Sequence, residues 1–110
     1  MNKILFGIVL TIAMIMLMLP PVAIAADLGN GARVFTNNCA SCHMGGGNVV
    51  NRAKTLKQEA LEQYGMASED AIKTQVTQGK NAMPAFKGRL SAQQIEDVAA
   101  YVFDQSAKGW

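Results

Sequence analysis

Cys39-Ala40-Ser41-Cys42-His43 is the stretch that decides how this chain is built. C-x-x-C-H is the attachment signature of a c-type haem, and its spacing has a chemical reason. On a helical turn, positions i and i+3 lie on one side. The sulfurs of Cys39 and Cys42 can therefore form thioether links to the two vinyl groups of one porphyrin. His43 follows on the same turn, where a ring nitrogen can bind the iron as the proximal ligand. The 110-residue chain has two cysteines and one histidine, and all three stand in this pentapeptide.

Three plainer readings stand beside it. A thioredoxin-like dithiol also uses C-x-x-C, usually near a βαβ pattern, and no strand pattern is legible here. A structural zinc site needs four ligands, and the pentapeptide offers three candidates with no second cluster. A structural disulfide suits an oxidising compartment but leaves His43 without a role.

The N-terminus reads as a processing segment. Lys3 supplies a short positive region, and Ile4 to Leu19 is an apolar stretch of sixteen residues interrupted by Gly7 and Thr11. Pro20-Pro21 ends it, and Ala23-Ile24-Ala25 is an A-x-A cleavage signal. The alternative is an uncleaved anchor, since sixteen residues approach the lower limit of a membrane span. Cleavage after Ala25 makes residues 1–25 a signal peptide and 26–110 the mature domain of 85 residues. Covalent haem attachment happens outside the cytoplasm, so the leader and C-x-x-C-H form a consistent pair.

The formal charge of +2 falls to +1 without Lys3, nine Lys and Arg against eight Asp and Glu. Two haem propionates would carry it just below neutrality. Such a surface argues against nucleic-acid binding. A domain of this size buries only about 60–65% of its unfolded surface, so a rigid, covalently tied porphyrin would serve as a staple.

The mature chain reads as all-α, with about four short helices around one haem. Asp27 caps a helix from Leu28 to about Cys39. Gly45-Gly46-Gly47-Asn48 reads as a flexible loop. Thr55-x-x-Gln58 is a capping box opening a second helix that stops at Tyr64-Gly65. Ser68, with Glu69 and Asp70 behind it, starts a third helix that Gly79 ends. Gly79 to Leu90 is a loop, and Ser91-x-x-Gln94 is a second capping box, opening a helix to about Ser106. Leu28, Gly31, Ala32 and Phe35 form one apolar stripe; Ile95, Val98, Ala99, Val102 and Phe103 form another, with Tyr101 on a neighbouring row.

A second iron ligand is read by inventory. No second histidine exists, and the sulfur candidates of the mature chain are Met44, Met66 and Met83. Met44 adjoins the proximal ligand and cannot easily wrap to the other face of the ring. Met66 lies in a tight turn, where filling the core is its better role. Met83 stands forty residues beyond His43, in a loop stiffened by Pro84. The Met/His pattern of c-type cytochromes favours it. A lysine ligand or an open distal position is the alternative. Met/His ligation would leave no position for a substrate, which makes a carrier and not a catalyst.

With these residues in place, residues 26–110 resemble the cytochrome c6 family of cyanobacteria and algal chloroplasts. The resemblance is carried by Ala26-Asp27-Leu28, Gly31-x-x-x-Phe35, Asn38 through His43 and the glycine-rich loop after it. Gly79-Lys80-Asn81-Ala82-Met83-Pro84-Ala85-Phe86 is its most specific part. Ile95 through Val102 and Lys108-Gly109-Trp110 also match. The resemblance implies the all-α class I cytochrome c fold and one haem c attached at Cys39 and Cys42, with His43 and Met83 as axial ligands. It also implies a monomeric electron carrier of the thylakoid lumen, running from the cytochrome b6-f complex to photosystem I. Gln75 matches a position implicated in tuning the potential, and Arg89 one implicated in docking to photosystem I. Lys87-Gly88 departs from the Gly-Gly of many relatives and adds charge beside the Met83 loop. The single bacterial-style leader favours a cyanobacterial source.

Other functions remain distinguishable. A donor to a terminal respiratory oxidase is the runner-up within electron transfer. A haem enzyme or gas sensor would bind carbon monoxide at an open distal site, and a thiol–disulfide oxidoreductase would hold no haem. Lys80, Lys87 and Arg89 could steer a redox partner or form an ordinary solvated face.

Overall fold

The computed structural model describes residues 2–18 and 25–110. Pro20-Pro21 and the Ala23-Ile24 part of the cleavage signal lie outside the described residues. The apolar leader forms α1 (Lys3–Met18), every residue of which is exposed. Among the described residues, no helix is long and apolar enough to cross a membrane.

Five helices follow: α2 (Leu28–Asn38), the one-turn α3 (Ala40–His43), α4 (Gln58–Gln63), α5 (Glu69–Gln78) and α6 (Ala92–Lys108). The four helices read from the sequence correspond to α2, α4, α5 and α6. Asp27 caps α2 by accepting the Asn30 N–H at 3.0 Å, and Ser68 caps α5 through the Ala71 N–H at 3.1 Å. The Ser91–Gln94 capping box closes in both directions, at 3.1 and 2.8 Å. Each cap satisfies amides that a helix start leaves without partners.

The Thr55–Gln58 capping box does not form. Lys57 is the N-cap of α4 and has no side-chain cap bond, while Thr55 Oγ1 accepts only the Lys57 N–H at 3.3 Å. Leu56 explains the delay. Its N–H donates to the Gly46 carbonyl at 2.7 Å and its own carbonyl accepts from the Trp110 indole at 2.8 Å, so this segment is committed to tertiary partners.

The core sits where α2 crosses α6 and α5 packs beside it. Val34 and Phe35 of α2 meet Ile95, Val98, Ala99 and Val102 of α6, with Ile72 and Val76 of α5, Leu61 and Phe86. A Cβ on Gly31 would overlap the Asp97 carbonyl oxygen and lie 2.7 Å from Tyr101 Cβ, so glycine sets the depth of the crossing. Two residues of the expected stripes point outward: Leu28 is 42% exposed and Phe103 37%. Val34, absent from the expected stripe, is buried in their place.

One buried carboxylate locks the start of the domain. Asp97, 2% exposed, accepts the Asp27 backbone N–H at 2.9 Å, Asn30 Nδ2 at 2.8 Å and Gln93 Nε2 at 2.8 Å. Removal from water raises its pKa, but the bonds from Asp27, Asn30 and Gln93 together hold it below the ordinary carboxylate value. A half-exposed Lys73–Glu96 pair at 3.1 Å also links α5 to α6 and adds little, being partly screened by solvent.

Candidate functional site

Cys39 is the joint between α2 and α3. Its φ of −118° breaks the helix, while its N–H still donates to Phe35 O at 2.8 Å. Its carbonyl then accepts the N–H of Cys42 at 3.2 Å and of His43 at 2.9 Å. The motif therefore starts a new helical turn instead of finishing α2, and the i, i+3 relation of the two thiols is kept. Both thiols are free, Cys39 half-buried and Cys42 exposed. Burial pushes the Cys39 thiol up to about 11. A redox-active C-x-x-C works through a thiolate with a depressed pKa, so this environment opposes the dithiol reading.

His43 is half-buried, and its Nδ1 lies 2.8 Å from the Gly47 carbonyl oxygen. A carbonyl can only accept, so Nδ1 carries the proton and Nε2 keeps its lone pair. Metal-binding histidines are oriented in this way, and the bond raises their basicity. The carbonyl is placed by the glycine run, which is not the flexible loop expected from its composition. Met44–Gly46 forms a 3₁₀ turn, Gly46 is buried at φ 77°, and a Cβ there would overlap the Trp110 ring. No other residue type fits that space and that backbone.

Met83 is positioned from α5. Gly79 ends the helix at φ 68°, and a Cβ on it would lie 2.6 Å from Ala85 N and 2.7 Å from Met83 O and Pro84 C. The loop thus folds back directly onto the helix end. Lys80 and Met83 exchange two backbone hydrogen bonds of 3.0 Å around a two-residue turn, with Asn81 at φ 52°. Asparagine is among the few residues that accept that conformation. Met83 stays half-buried, and Gln75 Nε2 lies 3.6 Å from its sulfur. The tuning candidate and the distal candidate are therefore in direct contact.

Arg89 stands in another setting. It is exposed, and its guanidinium carbon lies 5.2 Å from the centroid of the buried Phe86 ring. This cation–π contact steadies the side chain at the surface. Lys80 and Lys87 are exposed as well.

Cys39, Leu56, Met66, Met83 and Leu90 all pack against the core while remaining incompletely covered. Two free thiols one helical turn apart, an imidazole with Nε2 available and a thioether form a soft donor set. That chemistry matches a thioether-linked, His/Met-bound haem iron, and a porphyrin would complete the burial of the apolar groups. The residues fit the group. A haem-shaped requirement on an all-helical frame with α2 crossed by its last helix makes this a class I c-type cytochrome.

The chain is 73% identical over 92 residues to the cytochrome c6 of Thermosynechococcus vestitus, covering 84% of this chain and 82% of that one. It belongs to the cytochrome c6 family. Similarity to the cytochrome c6 of a Nostoc species runs over all 110 residues at 56% identity, covering 99% of that relative. The solved cytochrome c6 of the diatom Phaeodactylum tricornutum superposes with a TM-score of 0.76 at 54% identity, covering 77% of this chain and all of that one. A family model described as "Cytochrome C oxidase, cbb3-type, subunit III" matches residues 26–102. Membership implies a haem c cofactor and the work of an electron carrier.

Sequence reading named Cys39, Cys42, His43 and Met83 as the candidates for haem attachment and iron ligation. It missed the Gly47 carbonyl, because a backbone acceptor has no residue signature. It also assigned no task to Trp110, although a lone tryptophan at the chain end was a visible signal.

Proposed function

We propose that the protein carries single electrons from the cytochrome b6-f complex to photosystem I in the thylakoid lumen. Cys39 and Cys42 would attach one haem covalently, and His43 and Met83 would be its axial ligands. Bound there, the haem supplies a reversible one-electron couple. The observation that carries this reading is the paired preparation of the two axial candidates. The His43 ring is oriented through Nδ1 at 2.8 Å from Gly47, and the Met83 sulfur is met at 3.6 Å by Gln75.

The chain's own residues then do three things. His43 and Met83 would both hold the iron and leave no position for exogenous ligands, which would make the protein a carrier and not an enzyme. Their rigid supports, Gly47 and the Gly79–Pro84 fold-back, keep reorganisation between the redox states small. Arg89, steadied on Phe86, and the exposed Lys80 and Lys87 add positive charge for brief encounters with a partner, in which buried area is usually below about 1,200 Å². The exposed apolar α1 suits a leader removed after Ala25, and residues 26–110 would act as a soluble monomer.

The test is carbon monoxide binding to the reduced holoprotein, paired with flash-induced oxidation by photosystem I. Native protein should resist carbon monoxide and donate electrons, whereas Met83→Ala should bind it readily. Ready binding by the native protein would overturn the closed-site reading, and failure to reduce photosystem I would overturn the proposed route.

A further inference from the structure

The C-terminal residue is built into the support of His43. Gly109 ends α6 at φ 92°, with its N–H on the Gln105 carbonyl at 2.9 Å and its own carbonyl held by Gln105 Nε2 at 2.7 Å. This double tie directs Trp110 back onto the body of the protein. Its ring lies 5.3 Å from that of Phe35 at a tilt of 35° and meets Tyr101 edge-on at 6.1 Å. The Trp110 indole N–H donates to the Leu56 carbonyl at 2.8 Å, across 54 residues. Leu56 N–H in turn donates to the Gly46 carbonyl at 2.7 Å, and the α-carbon of Gly46 lies against the indole face. The next residue, Gly47, supplies the carbonyl that receives His43 Nδ1–H.

We infer that Trp110 is a positioning residue for His43, bracketing Gly46 from its ring face and through Leu56, so that the Gly47 carbonyl stays aimed at Nδ1. Packing on Phe35 and Tyr101 would be met by any aromatic ring. The bond to Leu56 needs an indole N–H at that distance. A carbonyl held in line strengthens the electron donation of the imidazole. Loosening the bracket weakens the Nδ1–H bond, makes His43 a poorer donor and raises the midpoint potential. This inference rests on His43 being the proximal ligand. Absence of a haem spectrum overturns that reading, whereas the outcomes below concern haem-loaded protein alone.

The experiment compares holoprotein variants in the reduced, diamagnetic state. Solvent exchange of His43 Nδ1–H is followed by NMR, and the midpoint potential by redox titration. Trp110→Phe keeps a ring and deletes the indole N–H. It should speed exchange by about fivefold or more, the scale of one neutral hydrogen bond, and move the potential upward. Val102→Ala removes core packing on the same helix, where Val102 is 5% exposed. It should lower the melting temperature and leave both readouts in place. A folded Trp110→Phe protein with unchanged exchange and potential overturns the inference, as does an equal response from Val102→Ala. In the unsubstituted holoprotein, Trp110 Nε1–H, Leu56 N–H and His43 Nδ1–H should open as one unit with a common denaturant dependence. Separate opening of Trp110, with His43 still protected, overturns it without any variant.

Discussion

Replacing Gln75 by leucine should lower the midpoint potential of the holoprotein. The Gln75 side-chain N–H points its positive end at the Met83 sulfur from 3.6 Å. A positive dipole there draws electron density from the thioether and disfavours the more highly charged ferric state, which raises the potential. A neutral hydrogen bond contributes about 0.5–1.5 kcal/mol net, and sulfur is a weak acceptor, so the low end applies. For a one-electron couple, a tenfold change in the equilibrium constant is about 59 mV. A loss of about 0.5–1 kcal/mol therefore lowers the potential by about 20–40 mV. Leucine keeps the volume close to that of glutamine, so the haem environment stays closed and the dipole is the main change. Spectroelectrochemical titration of both proteins at one pH and ionic strength reads the effect. An unchanged or higher potential in Gln75→Leu, with Met83 ligation intact by its spectrum, would refute the reasoning.

Gly79→Ala forces an L-residue to φ 68° against Ala85 and Met83. Left-handed backbone alone costs about 1–2 kcal/mol, so the variant should melt lower and admit carbon monoxide as Met83 is displaced; thermal melts and a ligand titration check both. Asp97 has a lowered pKa, so its contribution to stability is full above the unfolded value of about 3.9 and is lost as pH falls through the folded value. Asp97→Asn should cost about 1–3 kcal/mol at neutral pH and progressively less in acid, as read by urea unfolding at several pH values; an equal loss at every pH would exclude the linkage. Arg89→Glu should slow reduction of photosystem I at low ionic strength with the spectrum unchanged. Equal rates for the two proteins across low salt would remove Arg89 from docking.

What was legible in the sequence follows from the kind of interaction involved. Ser68, Ser91 and Asp27 were readable because a cap is a local bond between a side chain and an amide two or three residues on. Thr55 carried the same pattern and misled, because Leu56 beside it is claimed by Gly46 and Trp110, partners that only the folded chain brings near. Helical spacing placed Phe35, Val98 and Val102 in the core. It put Leu28 and Phe103 there too, yet the packing of α2 on α6 leaves both at the surface. The pentapeptide announced its chemistry directly, and the inventory of sulfurs led to Met83. The geometry behind these candidate ligands was not legible: the Gly47 carbonyl, the fold-back at Gly79 and the contacts of Trp110 with Leu56 and Gly46 are long-range or backbone features without a residue signature.

The stitch between Asp27 and Asp97 spans 70 residues and joins the first turn of the domain to its last helix. A nascent chain still lacking residues 92–108 has nothing for α2 to cross. The apolar face of α2 finds its partner only once α6 has been made. Such a polypeptide leaves the ribosome without a finished core. In that state the joint at Cys39, between α2 and α3, has no packed core behind it, so Cys39 and Cys42 are least covered before α6 docks.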